Sequence, residues 1–135
     1  MKPVLVDTDI LSMFLRKNSK IVSKFEEYLN EHESISISII TYYEIVSGLK
    51  YKNAHKYLDS FSEFAKYNSV LPLSIESVTL AADTYADLRR KGQLIDDIDL
   101  LISGIALANN LVLVTNNESH FQRVEGLQIS NWKNM

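Results

Sequence analysis

The sequence predicts a three-layer α/β/α domain built around a central parallel sheet of about five strands. Two observations carry that expectation. The strand segments VLV (4–6) and LVLV (111–114) are apolar without interruption, as strands buried on both faces are. The segments between strands space their apolar residues by three and four, the signature of amphipathic helices. The chain has 135 residues and neither repeats nor linker-like tracts, so one domain spanning 1–135 is expected.

The elements follow in order. VLVD (4–7) reads as a buried strand and leads into the apolar-periodic ILSMFL (10–15). Residues 19–33 form a helix with Ile21, Val22, Phe25, Tyr28 and Leu29 on one face. SISIS (34–38) is a β-branched alternation and reads as a strand. It runs into a helical pattern carrying Ile40, Tyr43, Ile45 or Val46, and Leu49. Residues 53–68 place Tyr57, Leu58, Phe61, Phe64 and Ala65 on another helical face. SVLPLS (69–74) is a short strand whose Pro72 marks an edge or an end. Residues 75–92 are a long helix stopped by Gly92, a favoured residue just past a helix end. A helix over 96–110, a strand over 111–117 and a last short strand in GLQISNW (126–132) complete the chain.

An apolar fraction of 46% and a charged fraction of 23% suit a globular core that needs no staple. The absence of cysteine excludes disulfides, a zinc–thiolate site and a cysteine nucleophile. No apolar run approaches the roughly 18 residues of a membrane span, and carboxylates come too early for a signal peptide. A cytoplasmic protein that does not enter a membrane is therefore expected. The net charge of −3 leaves no global basic footprint. The clusters Arg16-Lys17, Lys50 with Lys52, and Arg89-Arg90-Lys91 read first as solvated helix faces.

In open parallel sheets, ligands bind beyond the carboxyl ends of the strands. That edge collects Asp7, Thr8 and Asp9; Thr41 to Glu44; Thr115, Asn116 and Asn117; and the helix start with Asp96, Asp97 and Asp99. Several of these acids have structural roles open to them. Asp9 is expected to cap the helix that follows it. Thr41 and Glu44 have capping-box spacing, and Asp96, Asp97 and Asp99 suit the first turn of a helix.

Asp7 is different, because it ends a strand expected to be central, where an unpaired carboxylate costs several kcal/mol. No basic partner is evident at the strand tips, and further acids are. A hard divalent cation, Mg²⁺ or Mn²⁺, would offset the repulsion, and such a site activates water for phosphodiester hydrolysis. The histidines His32, His55 and His120 show no ligand spacing and are expected in surface or loop roles. There is no P-loop, no dinucleotide fingerprint and no nucleophile elbow around Ser12, Ser47 or Ser103.

The ordered set VLVDTDILSMFL, TYYEIVSGL, GQLIDDIDLLISGIALANNLVLVTNN and the closing F-x-R-V-x-GL-x-x-x-NW resembles the PIN-domain family. More closely it is similar to the VapC-type toxin ribonucleases, over nearly the whole chain. The resemblance implies a PIN-like fold and a metal-dependent endoribonuclease, the toxin of a type II toxin–antitoxin pair. It assigns Asp7, Glu44 and Asp99 as catalytic metal ligands, with Asp97 as a supporting ligand. Ser103 and Gly104 stand where relatives have two alanines, and being small they should keep the helix packing close. The fourth acid of the family is replaced by Asn117 or Asn116, and Asn117 is expected to orient water. Thr8 and Thr115 are expected to support Asp7, and Arg89, Arg90 and Lys91 to contact the RNA backbone. The resemblance also implies a homodimer and a cognate antitoxin covering the acidic cleft.

The residues admit two other readings. Asp7-Thr8-Asp9 with VLVTNN resembles a haloacid-dehalogenase-like phosphatase, but there the Thr-bearing strand precedes the final acidic pair. Here DDID comes first. A catalytically silent PIN-like module binding RNA or protein would be expected had Asp7, Glu44 or Asp99 been lost, and all three are present.

Overall fold

The structure, a computed structural model, describes residues 1–134. Its elements are β1 (Val4–Val6), α1 (Thr8–Leu15), α2 (Ser19–Leu29), β2 (Ser36–Ser38), α3 (Ile39–Tyr51) and α4 (His55–Lys66). They continue with β3 (Ser69–Leu71), α5 (Ile75–Arg90), α6 (Asp97–Ala108), β4 (Val112–Val114), α7 (Glu118–Phe121) and β5 (Ile129–Ser130). The five strands form one sheet in the order β3-β2-β1-β4-β5, and every pairing is parallel. The expected three-layer fold is present.

The unbroken apolar strands are explained by what lies on each face. Val4 and Val6 pack into a cluster with Ile10, Leu11, Phe25 and Phe61. Leu5, between them, points the other way, into Ile102, Ile105, Ala106 and Phe121. Val114 and Leu113 divide in the same manner. Strand side chains alternate, so a strand covered on both faces needs apolar residues at every position.

The chain leaves β1 toward β2 and β3 on one side and returns to β4 on the other. The β1/β4 junction is therefore the topological switch point, where a crevice opens beyond the strand ends. Register is tight there, with Val6 opposite Val114 and the Asp7 amide donating to the Val114 carbonyl at 2.9 Å.

Several element boundaries differ from the sequence expectation. The helix after β1 is capped by Asp7, whose side chain accepts from the Thr8 amide, so Asp9 lies inside the first turn and is not the cap. Ser38 caps α3, accepting from Thr41; the Thr41–Glu44 capping box does not form. Leu29, Tyr43 and Tyr57, expected on buried faces, are exposed at 43%, 68% and 59%. Helix α7 was not anticipated, because four residues are too short for a periodicity signal. Pro72 does follow an edge strand, and Gly92 sits just past α5 at φ 68°.

Gly104 does more than keep a small side chain in place. A Cβ there would lie 2.2 Å from the Ser77 carbonyl oxygen of α5, a backbone atom that can move only with its helix. Alanine, the residue expected in relatives, does not fit this α5–α6 approach. Gly104→Ala is accordingly expected to lower stability by on the order of 2 kcal/mol, measured by urea unfolding. Unchanged stability would mean that the two helices separate freely.

Candidate active site

Asp7 stands at the end of β1, 7% exposed, with both oxygens occupied. Oδ1 accepts from the Thr8 amide at 2.8 Å, and Oδ2 accepts from the Thr115 hydroxyl at 2.7 Å. Its pKa is pushed up to about 7, first by burial and then by the Asp9 charge. The Thr115 and Thr8 hydrogen bonds pull it down, and Asp99 adds a smaller upward push. Burial also raises Asp9, against hydrogen bonds from the Ile10 and Asn116 amides at 2.7 and 3.0 Å. Asp99 raises it further. Asp7, Asp9 and Asp99 thus share one electrostatic environment, and Asp9 joins it as a third acid.

Glu44 is positioned by hydroxyls. Its Oε1 accepts from Thr8 Oγ1 at 2.6 Å, and Thr8 Oγ1 lies 2.9 Å from Thr41 Oγ1. A carboxylate only accepts, and Thr8 has one hydroxyl proton, so Thr41 donates to Thr8. Ser38 donates in turn to Thr41 at 3.3 Å. The chain Ser38–Thr41–Thr8–Glu44 ties the start of α3 to the start of α1. Thr8 therefore serves both acids, Asp7 through its amide and Glu44 through its hydroxyl.

Asp99, in the first turn of α6, meets His120 Nδ1 at 3.0 Å, and His120 Nδ1 lies 2.9 Å from the side-chain amide of Asn117. This contact corrects the expectation of an uninvolved surface histidine. A signal existed: Phe121 is a lone bulky apolar residue in a polar stretch, and burying it fixes the direction of its neighbour. The other histidines match expectation. His32 stacks on Tyr28 and His55 is exposed.

Asp97 is exposed. It is two residues, or about 200° of helical turn, from Asp99, so the two do not share a direction. Arg89 and Lys91 are engaged on their own helix with Tyr85 and Asp87, and Arg90 is exposed. The loop carrying Asn116 and Asn117 is braced by Asn131, whose amide donates to Asn116 and to Glu118, each at 3.0 Å.

The donor set is made of hard oxygens suited to Mg²⁺ or Mn²⁺. Asp99 and Glu44 each use one oxygen in the contacts above and keep one for a ligand. Asp7 is raised mainly by burial, and Asp9 and Asp99 add negative charge beside it that a cation would offset. Among the described residues, no three such side chains converge closely enough to hold an ion as they stand. Glu44 is turned toward Thr8.

The fold is a parallel sheet with carboxylates gathered near its switch point, from the end of β1 and from α3 and α6, and the chain belongs to the PIN domain family, whose profile matches residues 4–127. Within that family its relatives are VapC ribonucleases. It is 32% identical over 128 residues to Ribonuclease VapC1 of Methanocaldococcus jannaschii, covering 93% of this chain and 85% of the relative. It is 30% identical over 129 residues to the tRNA(fMet)-specific endonuclease VapC of Shigella flexneri, covering 95% and 96%. The fold superposes with a TM-score of 0.86 on DNA-bound VapBC from Salmonella typhimurium, at 27% identity over 98% of this chain and 99% of that one. VapBC2 from Rickettsia felis, bound to a promoter DNA fragment, gives 0.85 at 27% identity, covering 96% and 98%.

The Asp7 shift has a stability consequence. The folded protein holds the Asp7 proton more tightly than an unfolded chain titrating near 3.8, so this contribution is full below about pH 4 and is lost as pH rises to about 7. In chelator, the wild type should lose up to roughly 4 kcal/mol relative to Asp7→Asn between pH 4 and pH 8. Urea unfolding of the pair across that range measures it. A constant difference would mean that the Asp7 carboxylate is not strained.

Proposed function

We propose that the chain is a Mg²⁺- or Mn²⁺-dependent endoribonuclease and the toxin of a toxin–antitoxin pair. The observation that carries this reading is Asp7: a carboxylate 7% exposed at the sheet's switch point, facing Asp9 and Asp99 with, among the described residues, no cationic side chain against it. Asp7, Glu44 and Asp99 would hold the ion. When bound, the ion supplies Lewis acidity to a water molecule and to the phosphodiester oxygens.

The chain's own contribution is placement. Thr115 and the Thr8 amide fix the Asp7 carboxylate, and the Ser38–Thr41–Thr8 hydroxyls hold Glu44 within reach of the same edge. Asp9 fastens the Asn116 backbone, which keeps the loop after β4 beside the acids. Asp97 is left outside the ligand set, as an exposed acid adding charge at the mouth. Arg90, free of the contacts that occupy Arg89 and Lys91, is the member of that cluster best suited to an RNA phosphate. An RNA substrate goes with a cytoplasmic location, and among the described residues no helix is long and apolar enough to cross a membrane.

An antitoxin partner is supported by the VapBC complexes among the structural relatives. A groove of about 1380 Å³ between α1–α2 and α3–α4 offers such a partner a seat. Phe14, Val22, Leu49 and Phe64 line it, Arg16 and Lys52 stand on it, and it opens onto Thr8 and Glu44.

Purified protein free of antitoxin should cut a mixed pool of structured RNAs with Mg²⁺ or Mn²⁺, lose cutting in chelator, and lose at least about a hundredfold in rate as Asp7→Asn. Products should carry 5′-phosphate and 3′-hydroxyl ends. Cyclic 2′,3′-phosphate ends, or cutting that survives chelator, would overturn the mechanism. A homodimer belongs to the same reading. The start of α5 and its approach expose Leu73, Ile75 and Val78 at 42%, 87% and 43%, and α3, which lies against β3, exposes Tyr43. Light scattering should give a dimer that Ile75→Glu converts to a monomer, and a monomeric wild type would refute it.

A further inference from the structure

Asp7 and Asp99 come from different elements, yet one loop joins them. Thr115 Oγ1 donates to Asp7 Oδ2 at 2.7 Å and accepts from the Asn117 amide nitrogen of the main chain at 3.0 Å. The Asn117 side chain lies 2.9 Å from His120 Nδ1, which lies 3.0 Å from Asp99 Oδ2. A run of hydrogen bonds therefore passes from one acid to the other through residues 115–120.

The chemistry of the ring nitrogen gives this run a direction. An ionised Asp99 can only accept, so the proton in the shared contact sits on Nδ1. Nδ1 then has no lone pair to offer, and the Asn117 amide is satisfied when it turns its oxygen toward the ring. Nδ1–H is thus shared between the Asp99 carboxylate and the Asn117 carbonyl oxygen. The backbone beside the ring is anchored: Phe121, the next residue, is fully buried against Leu5, Ile102 and Ile105. The His120 side chain itself is 38% exposed, and the Asp99 side chain 17%.

We propose that His120 is a positioning residue for the cation site, holding Asp99 by Oδ2 so that Oδ1 remains available as a ligand. The proposal rests on the cation-dependent reading above. Outer hydrogen-bond partners of ligating carboxylates fix their orientation, and losing one commonly weakens metal binding by about 10- to 100-fold. His120 holds this position through Nδ1, which separates it from a histidine that would bind the ion directly through Nε2.

Mn²⁺ binding by the metal-free protein, followed calorimetrically, tests the proposal without reference to catalysis. His120→Ala should weaken Mn²⁺ binding by about 10- to 100-fold, while its metal-free melting temperature stays at the wild-type value. His120→Asn, which returns an N–H near the Nδ1 position, should recover most of the loss; His120→Gln, whose amide reaches toward the Nε2 position, should not. Undiminished Mn²⁺ binding by His120→Ala would overturn the positioning role and leave the nuclease reading intact. Recovery by Gln in place of Asn would overturn it in favour of direct ligation. A wild type that binds no Mn²⁺ would sink the cation reading and this proposal with it.

Discussion

The structure turns on one hydrogen bond, from the Thr115 hydroxyl to Asp7 Oδ2. It spans the β1/β4 junction, where the order of the sheet reverses, and both residues are buried. A carboxylate at that depth is tolerated only if its oxygens are satisfied, and Thr115 and the Thr8 amide satisfy both. Thr115 also accepts from the Asn117 amide, so the bond that settles Asp7 also sets the start of the loop carrying Asn117 and His120. One hydroxyl thus ties the central pair of strands to the acidic edge.

Hydroxyl groups do most of the remaining positioning. Ser38, Thr41 and Thr8 form a directional chain ending on Glu44, and Ser38 and Thr41 are fully buried. Short neutral donors hold an acid in place without neutralising it, as a lysine or arginine would. The acids therefore keep their mutual repulsion, which adds to burial, the larger cause, in raising the pKa values of Asp7 and Asp9. That unrelieved charge is what makes a divalent cation the natural occupant in the proposed reading.

The fold was legible in the sequence because its strongest signal is physical and local. VLV and LVLV are apolar at every position since each strand has two covered faces. The acid positions followed from the rule for strand ends. What was not legible depends on contacts between distant segments. Asp9 has the credentials of a cap, and only the return of residue 116 beside it reveals a carboxylate fastening a loop. Thr41 and Glu44 have capping-box spacing, but Ser38 is three residues before Thr41 and takes that role. His120 lies 21 positions from Asp99, on a four-residue helix that carries no periodicity. Gly104 reads as merely small until α5 is placed against it.

The site sits in the part of the chain that the core holds most firmly, and the energetics require this. Ionised acids at the switch point oppose folding, so the elements bearing them must be anchored by burial elsewhere. β1 is the central strand, all three of its residues are buried, and the helix after it buries Ile10 and Leu11 completely. Phe14 of that helix stacks on Phe25 at 4.0 Å, and Trp132, from the far end of the chain, meets Phe25 edge-on at 5.5 Å. Aromatic contacts of this kind contribute about 1 kcal/mol each beyond the area they bury. They lock α1, and therefore Asp7, Thr8 and Asp9, against strain that a peripheral loop would relieve by moving. A site of repelling carboxylates keeps its shape because it is built on the most deeply packed strand of the sheet.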